Sequence, residues 1–383
     1  MRRERNTLPL VAHLLIGCVG VLLALGMVSL YSASMTARGA QLVQQQVMWC
    51  ALGLMAAAVC AAMDYRRWQR WAVPLAVLAS LALLLVFVPG LGKTIKGARR
   101  WIQLGPVNFQ PSELAKLAAI IALAAYAAHR QRRMSRFKEG LLIPGAFLGA
   151  MGALILAGRD YGTTLLFLSV GGLILLVAGV RWRHVLPLAL LVIAGFAAAI
   201  WNNDVRRTRV LSFLYPEKYA ETTGYQAYQA ILAFGSGGVD GRGLGDGRQK
   251  TFVPEVHTDF VLTTVGEELG LKGSLAVVVA FMVLLICGIA IAERAADSFG
   301  MYLAFGITAL IGLQAFVNIA VVTSLLPNKG LPLPFMSYGG SNLLMMMAAV
   351  GILLSVARRG VELEPAPANP FEGEAPSLRE EEA

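Results

Sequence analysis

Long apolar runs recur along almost the whole chain, and a run of about 20 such residues has one stable home, the roughly 30 Å hydrocarbon core of a bilayer. Ten can be drawn within the 383 residues, at approximately 8–31, 43–63, 71–88, 113–128, 141–156, 162–180, 184–201, 270–292, 301–324 and 337–357. Lipid offers backbone amides no partner, so each run must be a helix, and the Gly, Ala and Ser within them permit close helix packing. The expectation is an all-α polytopic membrane protein. It has about ten transmembrane helices, a single membrane domain over 8–358, and one large extracytoplasmic loop, 202–260, between helices 7 and 8.

Charge gives the orientation. The first span follows Arg2, Arg3 and Arg5, is too long for a signal-peptide core and precedes no small-residue cleavage site, so it reads as a retained anchor with residues 1–7 in the cytoplasm. Arg66, Arg67 and Arg70, then Arg130, Arg132, Arg133, Arg136 and Lys138, then Arg181 and Arg183, and finally Arg358 and Arg359 fall in alternate loops. That matches the positive-inside bias for ten spans with both ends cytoplasmic. The net charge of +10 therefore argues for membrane orientation and anionic headgroups, and against nucleic acid. Residues 359–383 change to Pro, Glu and Ala and end in Arg379-Glu380-Glu381-Glu382-Ala383, the composition of a disordered cytoplasmic tail. Cys18, Cys50, Cys60 and Cys287 lie scattered in spans without metal-ligand spacing, and read as buried thiols.

Three loops face the outer compartment. The first, 89–111, carries Lys93, Lys96, Arg99 and Arg100 and leads into Ser112-Glu113-Leu114-Ala115-Lys116. The second is 202–260, which closes with Pro254-Glu255-Val256-His257-Thr258-Asp259-Phe260. The third, 326–342, holds Pro327, Pro332 and Pro334, which forbid a regular helix and favour a re-entrant turn. Facing one compartment, the three can build one site.

A carboxylate at a membrane boundary costs free energy unless it has a partner or a task, which singles out Asp259, with Glu267 and Glu268 two helical turns later. Partial desolvation would raise its pKa and suit it to take a proton from a sugar hydroxyl, whereas a helix cap or an ion pair with a loop arginine would leave the same pattern. Both readings stand at this point. The outward cations Lys93, Lys96, Arg99, Arg100 and Lys329 suit an anionic leaving group such as a lipid pyrophosphate, or ordinary headgroup contact. Glycines at 235–238 and 241–245 neither follow a strand nor open a βαβ unit, so they read as turns that let the backbone approach a ligand or another loop. His257 is the one outward histidine, which leaves a carboxylate-held divalent ion but no histidine-built metal site.

Together these residues resemble the SEDS family of polytopic bacterial proteins, the shape, elongation, division and sporulation group. The resemblance covers residues 30–358. It is carried by Tyr31-Ser32-Ala33-Ser34, Gly97-Ala98-Arg99-Arg100-Trp101-Ile102, Gln110-Pro111-Ser112-Glu113-Leu114-Ala115-Lys116 and Gly224-Tyr225-Gln226 with Gly237-Gly238. Pro254 to Phe260 continuing into Gly266-Glu267-Glu268-Leu269-Gly270, and Pro332-Leu333-Pro334-Phe335-Met336-Ser337-Tyr338-Gly339-Gly340-Ser341, complete it. Lys329-Gly330-Leu331-Pro332, Ser341-Asn342-Leu343 and Gly243-Leu244-Gly245 before Gln249-Lys250 are similar to the division members rather than the elongation members. The chain departs from the usual pattern at Gly158-Arg159-Asp160-Tyr161-Gly162, where a proline normally precedes the aspartate, and at Ala230, where serine is common.

The resemblance implies a peptidoglycan glycosyltransferase that polymerises lipid II into β-1,4 glycan strands at the outer face of the bacterial cytoplasmic membrane, during septal wall synthesis. It implies Asp259 as the catalytic base and Arg99, Arg100, Glu113, Lys116, Glu255, His257, Lys329 and Ser337 as substrate-binding residues. A divalent cation, Mg²⁺ or Mn²⁺, with Asp259 or Glu113 as possible ligands, and no organic cofactor are expected with it. A class B penicillin-binding transpeptidase and other division-complex membrane proteins are the implied partners. Two rival readings are a lipid II flippase using a polar cavity with Glu113, Lys116 and Asp160, and a noncatalytic scaffold for the transpeptidase. The ionisable residues cluster at the outer ends of spans rather than deep in several of them, which favours the enzyme.

Overall fold

The computed structural model describes residues 8–34, 41–95, 97–105, 107–215 and 217–362. The arginines at 2, 3 and 5, Lys96 and the tail from 363 onward lie outside these. The chain opens with α1 (Leu8–Ser34), α2 (Gln41–Ala62) and α3 (Arg66–Leu85), then forms β1 (Gly92–Ile95), β2 (Ala98–Leu104) and β3 (Val107–Phe109). Next come α4 (Pro111–Arg130), α5 (Ile143–Ala157), α6 (Tyr161–Val177), α7 (Trp182–Trp201), α8 (Asp204–Leu214) and α9 (Tyr225–Gly237). It finishes with α10 (Val261–Glu268), α11 (Gly270–Glu293), α12 (Ser298–Val322) and α13 (Gly340–Glu362).

Each of the ten expected spans coincides with a helix. Among the described residues nine helices are long and apolar enough to cross a membrane, and α6, with 17 residues, is the shorter tenth. Helices α4, α12 and α13 form the centre of the bundle and are mostly buried. Helix α7 has no buried residue and stands at its periphery, so its apolar surface needs lipid. The buried face of α4 brings Ile120, Ile121 and Leu123 into the same core as Ile307, Ile311, Leu353 and Val356.

Two departures from the sequence expectation concern the ends of the bundle. The outer loop 89–111 is a three-stranded antiparallel sheet in the order β1-β2-β3, with Lys93 opposite Trp101 and Ile102 opposite Phe109. A chain segment leaving the membrane must still pair its backbone, and Thr, Ile, Trp and Phe favour doing so as a pleated ribbon. Periodicity at helix length cannot register strands this short. In addition, α13 starts at Gly340 instead of 337 and runs to Glu362, so residues 359–362 are helical rather than part of the tail. Its late start follows from the preceding turn, where Ser337 Oγ accepts from Leu333 N–H at 2.8 Å.

The opposite end is closed by ion pairs. Arg359 reaches Asp64 at 2.7 Å, and Arg66 reaches Asp297 at 2.9 Å, where Tyr65 also donates to Asp297 at 2.8 Å. The turns 62–66 and 293–298 and the end of α13 therefore share one face. The sheet, α8, α9 and the re-entrant turn share the other, called the outer end below.

Candidate active site

Asn318, Gln226 and Tyr338 help to hold two outer segments, 254–260 and 326–338, together. Asn318, buried in α12, donates from Nδ2 to the carbonyl of Asp259 at 2.8 Å and to that of Leu331 at 2.6 Å. Gln226 at the start of α9 donates to Pro254 O at 2.7 Å and accepts from Asn328 at 2.8 Å. Tyr338 N–H donates to His257 O at 2.8 Å. The half-buried carboxylate of Asp259 is thereby laid against Gly330, where a Cβ would come within 2.6 Å of Oδ2. Only a glycine permits that approach. Thr258 donates to both the carbonyl (3.2 Å) and the carboxylate (3.1 Å) of Glu255, whose own backbone is left-handed at φ 56°. Burial pushes the Lys329 ammonium below the usual lysine range.

Beside Gly330 opens a chamber of about 410 Å³, lined by Arg100, Arg159, Arg206, Arg209 and Lys329 with Asp160 as its one carboxylate among the described residues. Phe196 and Ile200 from α7 and Val205 from α8 give it an apolar wall. Asp160 caps α6, accepting from Thr163 N–H at 3.2 Å, and is reached by Gln110 Nε2 at 3.2 Å and Arg100 at 3.4 Å. The Arg206 guanidinium lies over the Tyr161 ring, its Cζ 3.7 Å from the centroid, and donates to Ala199 O at 3.2 Å. The chamber is thus strongly cationic, the electrostatics expected of a site that binds an anion, and Gly330 on its lining is the residue against which the Asp259 carboxylate lies.

The structure brings Asp259, Arg100 and Lys329 to this region and moves several other candidates out of it. Arg99 and Arg100 alternate on β2, so they point to opposite sides. Arg99 turns back and donates to Val88 O at 3.1 Å, past the end of α3. Glu113 and Lys116 do not line the chamber; they form a buried pair at 3.0 Å, 3% and 2% exposed. Glu113 also accepts from Asn342 at 2.7 Å, Lys116 donates to Gln314 at 2.8 Å, and Gln314 passes the chain on to Pro332 O at 2.9 Å. That network fixes the re-entrant turn from beneath. Ser337 is buried in the same turn, and His257 meets it through its carbonyl. Glu267 and Glu268 hold the glycine-rich stretch. Glu267 accepts from Arg248 N–H at 2.6 Å, Glu268 pairs with Lys250 at 3.0 Å, and Gly241, at φ 81°, packs on the Glu268 carbonyl.

Arg206, Arg209 and Asn318 were not singled out from sequence, and Gln226 and Arg159 entered only within motifs, without a site role. The spacing of Arg206 and Arg209 one turn apart, behind the Asn203 cap that accepts from Arg206 N–H at 3.2 Å, was the readable signal for two of them. Among the described residues no three His, Cys, Asp or Glu side chains converge, and Glu113 Oε2 is committed to Lys116 and Asn342.

A polytopic helical membrane protein with a cationic outer chamber beside a loop aspartate is the class this fold and site define. The chain matches the family model described as "Cell cycle protein", covering FtsW, RodA and SpoVE, over residues 7–361. It belongs to that family. It is 43% identical over 343 residues to the probable peptidoglycan glycosyltransferase FtsW of Geobacter metallireducens (strain ATCC 53774 / DSM 7210 / GS-15), covering 89% of this chain and 92% of the relative. It is 36% identical over 345 residues to stage V sporulation protein E of Bacillus subtilis (strain 168), covering 88% and 94%. Among solved structures, a chain of a peptidoglycan synthase complex that coordinates polymerization and crosslinking superposes with TM-score 0.76 at 31% identity, over 90% of this chain and 97% of that one. The rod shape determining protein RodA of Thermus thermophilus gives 0.66 at 30%, over 90% and 95%.

Proposed function

We propose that this protein is a peptidoglycan glycosyltransferase that polymerises lipid II, with Asp259 as its general base. The observation that carries the reading is the Asp259 carboxylate seated on Gly330 at the edge of the cationic chamber. In the reaction the acceptor sugar's 4-hydroxyl attacks the anomeric carbon of the donor. Its proton passes to Asp259, the new carbon–oxygen bond forms, and the bond to the pyrophosphate oxygen breaks with its electron pair leaving on the lipid pyrophosphate. A single displacement inverts an α-linked donor into a β-1,4 product. Lys329, on the strand of chain next to Gly330, and Arg100 are suited to neutralise charge growing on the departing pyrophosphate. No step is routed through a metal ion.

The similarity to a chain of a peptidoglycan synthase complex supports a membrane-anchored penicillin-binding transpeptidase as partner. We extend this to a class B transpeptidase and the division machinery at the septum, with both termini in the cytoplasm. The deep ionisable pair Glu113–Lys116 is neutralised within the bundle and braced by Asn342 and Gln314, which favours the polymerase over a translocating carrier. The test is to reconstitute the protein with its transpeptidase in vesicles and supply labelled lipid II on the outer side. Glycan ladders support the reading; labelled lipid crossing the bilayer with no polymer formed would replace it by transport. Gly330→Ala is a sharper check on the geometry. The added methyl must push the Asp259 carboxylate aside, and displacement by about 1 Å costs on the order of 10²-fold in kcat. Steady-state polymerisation rates of this variant against wild type measure it.

A further inference from the structure

The chamber holds more positive charge than a pyrophosphate needs. Five cations face one carboxylate, whereas a pyrophosphate diester carries one negative charge per phosphorus. The cations also divide in space. Arg100 is already engaged by Asp160 at 3.4 Å, and Lys329 belongs to the turn that carries Gly330, on which the proposed proton acceptor is seated. Arg159, Arg206 and Arg209 come from other elements, the turn before α6 and the exposed helix α8. Two features mark them as held for a purpose. Arg159 adopts φ 63°, a left-handed conformation that costs a residue with a side chain free energy, and the usual family proline could not take it up. It donates to Gly97 O at 3.4 Å. Arg206 is immobilised over Tyr161 with further N–H groups left to donate. Planar guanidinium forks match carboxylates in two-point contact.

We infer that Arg159, Arg206 and Arg209 form a second anion subsite, which takes a carboxylate of the peptide borne by the substrate while Lys329 serves the pyrophosphate. The inference rests on the polymerase reading, since it assigns the second anion of that same substrate. The test compares two lipid II preparations, one with free peptide carboxylates and one with every peptide carboxylate amidated. Equilibrium binding of each labelled lipid is measured alongside polymerisation. For wild type, the free acid should bind roughly tenfold more tightly than the amide. In Arg206→Gln/Arg209→Gln that preference should vanish, with KM rising about tenfold for the acid and little for the amide. Arg159→Gly, which keeps the left-handed turn and drops the guanidinium, should lose part of the preference. Arg209→Gln alone, at an exposed position, serves as the variant least able to disturb folding, and melting curves check all of them. Equal losses for both lipids, or an unchanged preference, would overturn the subsite. Absence of polymer from wild type with either lipid would instead count against the polymerase reading, and the binding comparison would still decide the subsite.

Discussion

Asp259→Asn is expected to cut glycan polymerisation by about 10³-fold, the loss typical of removing a positioned general base. The amide keeps the shape of the carboxylate and cannot accept the proton. Binding of lipid II and of the transpeptidase should survive, because Asn318 holds this residue in the loop by its main-chain carbonyl, at 2.8 Å, and the substitution leaves that bond in place. The measurement is product formation by the purified complex, with lipid binding measured on the same preparation. Polymerisation at the wild-type rate would remove Asp259 from the mechanism, and polymerisation lost together with binding would make it a structural residue.

The second large effect concerns stability. Glu113→Ala leaves Lys116, 2% exposed, without its carboxylate inside the bundle, and breaking a buried pair in this way costs about 3–5 kcal/mol. Glu113→Ala combined with Lys116→Met should recover most of that, since no buried charge then remains. Denaturation of the three forms in detergent checks the order wild type, double variant, single variant. If the single variant were as stable as wild type, Asn342 and Gln314 alone would suffice to hold the turn.

The bundle was legible in the sequence because lipid imposes one rule on every spanning segment, and even the short α6 obeys it. Asp259, Arg100 and Lys329 were legible as site candidates because charged residues in outer loops stand out against an apolar chain. Other parts were hidden for physical reasons. Whether Arg99 or Arg100 faces the chamber depends on strand alternation, and the strands are too short to announce themselves. Glu113 and Lys116 looked like substrate ligands because their partners, Gln314 and Asn342, lie some 200 residues away and carry no charge. Arg159 appeared only as a departure from a family pattern, since a left-handed backbone has no signature outside glycine and asparagine.

The way the two outer segments are joined bears on how such a protein can change. Asn318 and Gln226 grip carbonyl oxygens of the 254–260 segment, and Tyr338 reaches a third through its main-chain amide; every residue has a carbonyl, whatever its side chain. The contour of the loop is therefore set in part by α12 and α9, at a distance from the Glu255–Thr258 turn within the loop itself. A chimera that imports a foreign 254–260 segment with the Glu255–Thr258 turn kept should inherit the host's geometry. One that imports a foreign α12 lacking the asparagine should lose it, even with every loop residue left in place.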